Sequence, residues 1–380
     1  MTDKCVAIIA GTRDIHQPLY LSLKRSLSNP VYLIEFLDHD SLIHQLTVLA
    51  KQYEVWVFPS NEIMLNAVHA AMNGSEIIES RRLRIPGTAY TDRAYSSVEL
   101  SNKALMFSLL EGVQFKSIKK LKTQILCWNG NESQVILPEG LSFPIIIKPA
   151  VKDKNDSFTK AFPAKIRIIE TLDQLLRLIE QQRNLFYNRE YLLQELAKGQ
   201  NISWYGYVYA GHAHGYCIVP VIKSPVGSFG GTTTLARLKP TDAYLAAAID
   251  ELVRILNLDG IFEIEFDLCD GRPYFLYEIN PRPILQVSLV LQQKSNIFVK
   301  YLLKQGFTPA PKQNNSTRLP EFWGSALRYL SLNAGKNISL VTLFRTAIHD
   351  VHYTEYVDNK QKIFYTFSLA KLLFRLTFTS

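Results

Sequence analysis

The chain has 380 residues, of which 47% are hydrophobic and 20% charged. That is enough apolar material for two or three compact units, and it excludes a disordered chain. The formal net charge of +8 suits an anionic ligand, nucleic acid or an acidic membrane equally, and no stretch reaches the roughly 18 uninterrupted apolar residues of a membrane helix.

The N-terminus, "MTDKCVAIIAGTRD", passes from an acid and a lysine straight into an apolar run. It has no apolar leader core or small-residue cleavage site, which predicts a cytoplasmic protein. The runs "CVAIIA" (5–10), "VYLIEF" (31–36) and "EVWVF" (54–58) alternate with segments of helical length, the pattern of βαβ units on a parallel sheet. Residues 1–95 therefore read as a small α/β domain. "IIAGTRD" holds one turn glycine and no GxGxxG, so a dinucleotide fingerprint is absent. Cys5, Cys127, Cys217 and Cys269 are scattered, with no CxxC spacing, and neither a zinc site nor a disulfide framework is expected.

From residue 96 the texture changes. Ser101 is placed to cap a helix through "NKALMFSLLEG", ended by Gly112, with Lys103 in its first turn. Strands are expected at "FPIIIKP" (143–149) and "KIRII" (165–169), then a helix at 171–183 whose Thr171 and Gln174 have capping-box spacing. "YLLQELAKG" (191–199) reads as a strand running into a glycine turn. A long β stretch (202–222) with Gly211 at a hairpin tip leads to the loop "SPVGSFGGTTT" (224–234) and an amphipathic helix (241–257). "GIFEIEFDLCDGRPYFLYEIN" then reads as two strands about Asp270 and Gly271. Helices mixed with largely antiparallel strands make residues 96–310 an α+β unit.

Side chains alternate faces along a strand, so Glu263, Glu265 and Asp267 share one face of the first hairpin strand, and Glu278 and Asn280 share one face of the second. With Asp270 and Gly271 central in the turn, Glu265 lies opposite Leu276 and diagonal to Glu278; with Gly271 and Arg272 central, it lies directly opposite Glu278. Either turn brings both carboxylates to one face, roughly 5 to 8 Å apart. Two acids closing on an apolar hairpin repel unless a positive charge lies between them, and a divalent cation is the economical answer. Magnesium takes one or two protein carboxylates and completes its shell with phosphate and water. Asn280 can add an amide oxygen, and Arg282, with its planar fork, suits phosphate or carboxylate. A solvated face, with acids paired to Arg272 or a lysine, is the simpler reading for Glu263 and Asp267. Lys103 and Lys148, the latter at the end of "FPIIIKP", add two point charges of the kind that hold polyphosphate.

The order of Lys103 on a helix, "FPIIIKP", "LLQELAKG", a glycine-rich loop, "GIFEIEF" and "YEINPR" resembles the ATP-grasp superfamily of ADP-forming ligases. The resemblance covers roughly residues 96–285, and its most specific part is "EIEF" followed by "EINPR" 13 residues later. It implies an α/β pre-ATP-grasp domain (1–95), an ATP-grasp fold of two subdomains (96–310) and a basic C-terminal extension (311–380). ATP would lie between the subdomains, its phosphates held by Lys103 and Lys148 and its adenine bonded by the backbone of Gln194, Glu195, Leu196 and Ala197, with Glu195 near the base or ribose. Glu265, Glu278 and Asn280 would bind one or two magnesium ions, with manganese as a substitute, and Arg282 would steady the transferred phosphoryl group or the acyl-phosphate. The implied reaction makes an acyl-phosphate from a small-molecule carboxylate and couples it to an amine.

Two stretches depart from the family pattern. Residues 150–165 have no glycine where many members carry a phosphate loop; Lys152, Lys154 or Lys160 are candidates to cover the phosphates, with a solvated charge run the simpler reading for most of them, and "ILQVSLVLQQKSN" after "NPRP" lacks the expected glycine-containing small residues. A regulatory protein without turnover and a small-molecule kinase stay open as alternatives. His212 and His214 read as a polar hairpin tip, and His349 and His352 lack a third zinc ligand nearby in sequence. The aromatics of "SWYGYVY" fit cross-strand packing, so no nucleic-acid partner is expected. From Lys312 onward nine Lys and Arg face four Asp and Glu, a basic end suited to an anionic membrane, a protein partner or the body of the chain itself. A homo-oligomer stays open.

Overall fold

The computed structural model describes residues 3–73, 82–87, 97–130, 141–151, 157–162, 166–197, 199–224, 232–268, 274–291, 293, 296–311, 322–333 and 339–347. It opens with β1 (Lys4–Ala10), α1 (Arg13–Ser26), β2 (Val31–Glu35), α2 (His39–Gln52), β3 (Glu54–Pro59), α3 (Glu62–Asn73) and the short β4 (Leu83–Arg84). These four strands are parallel and ordered β2-β1-β3-β4, as the alternation of strand and helix predicts. Helices cover both faces, so Cys5 through Ile9 are all buried and β1 reads as an unbroken apolar run.

Next come α4 (Ser97–Ser101) and α5 (Lys103–Leu109). Asn102, not Ser101, caps α5: its side-chain oxygen accepts the N–H groups of Ala104 and Leu105. Ser101 is still inside α4 and donates its hydroxyl back to the Val98 carbonyl, which leaves the cap to its neighbour.

The chain then splits between two sheets. After β5 (Ile118–Lys120) come β6 (Thr123–Cys127), β7 (Ile145–Pro149), α6 (Ser157–Ala161), β8 (Arg167–Ile169), α7 (Leu172–Gln181), α8 (Arg183–Phe186) and β9 (Glu190–Glu195). Strands β6, β9, β7 and β8 pair in that order as an antiparallel sheet backed by α7 and α8. The Thr171 hydroxyl accepts the Gln174 N–H, while the Gln174 side chain reaches back to the N–H of Glu170.

The remaining elements are β10 (Gln200–Tyr209), β11 (His212–Ser224), β12 (Thr232–Lys239), α9 (Ala243–Leu256), β13 (Gly260–Leu268), β14 (Tyr274–Asn280), α10 (Val287–Leu291), α11 (Ile297–Lys304), β15 (Phe322–Gly324), α12 (Ala326–Leu332) and α13 (Leu340–Ala347). They build a seven-stranded sheet ordered β15-β12-β11-β10-β13-β14-β5, antiparallel except where β5 joins β14. Residues 322–324 of the C-terminal segment thus add an edge strand to this sheet. Residues 348–380, with His349, His352 and the basic end, lie outside the described residues. No helix among the described residues is long and apolar enough to cross a membrane.

One face of the large sheet packs Phe262, Ile264, Phe266, Leu276 and Ile279 against α9. The other face is divided. Near the start of β13, Tyr205, Tyr207 and Ile261 pack against α1 and α11, and against Trp56 and Phe58 of the first sheet, so those two units share a core. Further along β13 the same face turns polar, with Glu263, Glu265 and Asp267 in succession.

A close crossing fixes the first unit against the start of β13. Gly260, at φ +132°, lets residue 87 pass so tightly that a Cβ on Gly260 would sit 2.0 Å from the Gly87 nitrogen. Gly87 donates its N–H to the Asp259 carbonyl and rests against Pro281. Gly260→Ala meets both a forbidden φ and a backbone clash, and is expected to cost roughly 2 kcal/mol or more of stability. A urea midpoint that falls with an unchanged m-value checks this.

Candidate active site

The hairpin of β13 and β14 sets the geometry. Glu265 lies directly opposite Glu278 and Glu263 opposite Asn280; the register that faces Glu265 with Leu276 does not occur. Nearer the turn, however, Phe266 faces Leu276 and Asp267 faces Phe275, so one residue, Tyr277, is extra on β14. Residues 269–273, which join the strands, lie outside the described residues. This bulge decides where the acid points. Without it Glu265 would face Tyr277, and Glu278 would be driven into the apolar side against α9. With it, Leu276 and Ile279 both reach that core, while Tyr277 and Glu278 both point to the polar face.

Directly opposed residues stand roughly 5 Å apart, and two carboxylates at that distance repel by about 3 kcal/mol at an effective dielectric near 20. The structure meets that repulsion with donors. The Lys103 ammonium lies 3.2 Å from Glu278 Oε2. The Asn280 amide nitrogen donates to Glu278 Oε1 and to Glu263 Oε2, each at 3.0 Å. Its oxygen accepts from Arg282 Nη2 at 3.1 Å, and Arg282 Nη1 donates to the Pro283 carbonyl. Glu263 is therefore buried and bonded, not part of a solvated face. Asp267 is buried too, accepting the Gly199 N–H at 3.0 Å and the Tyr277 hydroxyl at 3.1 Å.

Lys148 ends β7 and is buried, 5.4 Å from the centre of the Tyr277 ring. Burial pushes its pKa down from 10.5 to about 8; Glu278 pulls it up, Lys103 pushes it down and Glu265 pulls it up, each more weakly than burial. For Lys103 burial also disfavours the charge, but Glu278 and then Glu62 outweigh it, and the pKa is raised. The first N–H of α5, that of Lys103, donates to the Ala150 carbonyl, which joins the root of Lys103 to the end of β7. Lys103, Lys148, Glu278 and Arg282 therefore form one electrostatic cluster.

The segment 194–197 runs from the small sheet toward the large one. Gln194 is fully buried; its amide nitrogen donates to Thr123 Oγ1, and its amide oxygen meets no hydrogen-bond donor among the described residues. Glu195 commits one carboxylate oxygen to the Lys122 N–H and its own N–H to the Lys122 carbonyl, pinning β6 to β9. Leu196 is half-buried and Ala197 buried. Gly199 then docks on Asp267, so the segment passes beside the acidic hairpin. Of the lysines in 150–165, Lys160 is exposed on α6, while Lys152 and Lys154 lie outside the described residues. His212 and His214 are exposed at the hairpin tip.

No protein-family model matches the sequence, and no curated protein does. Solved structures do match in shape. An L-amino acid ligase from Bacillus licheniformis superposes with a TM-score of 0.57 at 14% identity, covering 84% of this chain and 78% of that one. A carboxyaminoimidazole ribonucleotide synthase from Aspergillus clavatus, complexed with ATP, gives 0.57 at 14% identity over 85% and 82%. A D-alanine–D-alanine ligase from Bacillus anthracis, also complexed with ATP, gives 0.51 at 13% identity over 80% and 98%. The chain has the ATP-grasp fold.

On this ATP-grasp frame the two opposed carboxylates suit a hard divalent cation, while the Asn280 amide beside them turns its nitrogen, not its oxygen, toward Glu278. Among the described residues no three His, Cys, Asp or Glu side chains converge to cage a metal by themselves. The rest of the shell would come from water or ligand oxygens, which is how magnesium is usually held.

Sequence reasoning missed Glu62 and Tyr277. Glu62 is a buried acid in the first turn of α3 whose charge reaches Lys103; nothing in a one-dimensional pattern brings residue 62 to residue 103. Tyr277 did leave a signal. Leu276 and Ile279 are three apart, and two apolar residues at that spacing share a face of a strand only if a residue is extra between them.

The depressed Lys148 pKa gives a stability signature. The folded chain releases this proton near pH 8 and the unfolded chain near 10.5, so between those values the unfolded state holds more protons and stability rises with pH. NMR of labelled lysine side chains is expected to show one ammonium titrating near pH 8, absent in Lys148→Met, which also loses the rise in stability. Every lysine titrating above pH 10 would contradict the assignment.

Proposed function

We propose that this chain is an ATP- and magnesium-dependent ligase that activates a substrate carboxylate as an acyl-phosphate and joins it to an amine, releasing ADP and phosphate. The observation that carries this reading is the opposition of Glu265 and Glu278 on one polar face, with Lys103, Lys148 and Arg282 gathered around them. The fold supports it, because ATP-complexed structures share this frame at low identity.

In this reading Lys103 and Lys148 bind the nucleotide phosphates as point charges, and Arg282 offers its fork to the phosphoryl group in transfer. Glu265, Glu278 and Asn280 hold the magnesium ion, which supplies charge neutralisation for the phosphate oxygens. The backbone of Gln194 to Ala197 receives the adenine. A carboxylate oxygen attacks the γ-phosphorus as the bond to the β–γ bridging oxygen breaks and ADP leaves. The amine nitrogen then attacks the acyl carbon, phosphate departs and the amine loses a proton. Positioning and neutralisation carry phosphoryl transfer, so no nucleophile from the protein is required. The partners are small molecules, the cell compartment is the cytoplasm, and the basic C-terminal segment serves contacts with a membrane or protein.

The test follows ADP and phosphate over a panel of carboxylates and amines. Stoichiometric release of both, only when both substrates are present, supports the ligase. ADP without free phosphate points to a kinase, and binding of Mg-ATP with no turnover on any pair points to a regulatory protein. Glu278→Gln is expected to lower kcat/KM by roughly 100-fold or more; a variant as active as wild type would remove Glu278 from the metal site.

A further inference from the structure

We infer that Lys103 and Arg282 form a releasable latch on the cation site, so that cation and nucleotide bind cooperatively and neither binds well alone. The inference rests on reading this hairpin as a magnesium-ATP site, and it concerns what these side chains do before either ligand arrives.

Both oxygens of Glu278 are engaged. Oε2 is paired with the Lys103 ammonium at 3.2 Å, and Oε1 accepts the Asn280 amide nitrogen at 3.0 Å. Lys103 thus holds the Glu278 oxygen that a cation bridging the opposed acids would need. Asn280 is turned the wrong way for metal binding: its nitrogen faces Glu263 and Glu278, and its oxygen faces Arg282. To give that oxygen to a cation the amide must rotate, which sets its NH2 against the Arg282 guanidinium. Two donors cannot pair, so Arg282 is released by the same rotation.

Coupling follows from what each ligand would leave behind. A cation alone would displace Lys103 into a cluster that already holds Lys148 and Arg282, three positive charges with no new partner. Phosphates alone would draw Lys103 away and leave the opposed Glu265 and Glu278 without its charge. Together, the cation satisfies the carboxylates and the phosphates take up Lys103 and Arg282. Only side chains need move. The Lys103 backbone stays bonded to Ala150 while its flexible stem swings between carboxylate and phosphate. By linkage the two affinities must rise by the same factor.

Removing the latch should therefore open the cation site. With Mn2+ alone as probe, followed by electron paramagnetic resonance without nucleotide, Lys103→Gln is expected to bind roughly ten-fold tighter than wild type or better. Lys103→Met gives a second variant should the first fold poorly, and thermal melts verify both. Arg282→Met is expected to move Mn2+ affinity in the same direction, and an unchanged value removes Arg282 from the latch. Mn2+ affinity that depends on Glu278 but is unchanged or weaker in both Lys103 variants overturns the latch and leaves the magnesium-site reading standing. Affinity indifferent to Glu278→Gln in wild type and in the Lys103 variants, undetectable binding throughout included, overturns both.

Discussion

Everything at this site depends on one extra residue in a strand. Glu265 and Glu278 face each other because Tyr277 interrupts the ladder between β13 and β14. Continue the outer register and Glu278 enters the core against α9, where an unpaired carboxylate could not stay charged. The bulge keeps Leu276 and Ile279 in that core while turning two consecutive polar side chains to the other face. Once the acids are opposed, their repulsion demands positive charge or donors, and the surroundings of the hairpin answer that demand. Lys103 arrives from α5, Asn280 inserts its amide, and Arg282 backs Asn280.

The fold brings these groups together from three directions. The large sheet carries the acids, the small sheet carries Lys148, and α5 is tied to the end of β7 by the Lys103 N–H. Gly199, bonded to Asp267, marks where the chain passes from the small sheet to the large one. The first unit adds the buried Glu62, whose charge reaches Lys103, and is held against the large sheet by the shared core and the crossing at Gly260. That division of labour fits phosphoryl chemistry, in which catalysis is mostly the placement of charge. It also explains why buried lysines of opposite behaviour coexist. Lys103 pairs directly with Glu278 and also feels Glu62, which together outweigh burial, whereas for Lys148 burial, helped by the charge of Lys103, prevails over Glu278 and Glu265.

Much of this was legible in the sequence. The parallel first sheet followed from alternating apolar runs, and the acid hairpin from two strands whose carboxylates share a parity. Local chemistry was harder to rank: Ser101 and Asn102 are equivalent caps on paper, and only the length of α4 decides between them. The sequence alone makes Glu263 look solvated, because a lone strand does not reveal that Tyr205 and Asn280 flank it in the assembled sheet. Glu62 was invisible for the same reason, since its meaning comes from a contact between units distant in sequence. The bulge lay in between, encoded in the spacing of Leu276 and Ile279 but concealed by the assumption of a regular strand.

The most direct test of the account is the position of Mn2+ in crystals grown with a non-hydrolysable ATP analogue, located by its anomalous scattering. The account predicts a peak within coordination distance of both Glu265 and Glu278, with Lys103 moved from Glu278 to a phosphate. Nucleotide bound with the ion elsewhere, or with Lys103 still paired to Glu278, would contradict it.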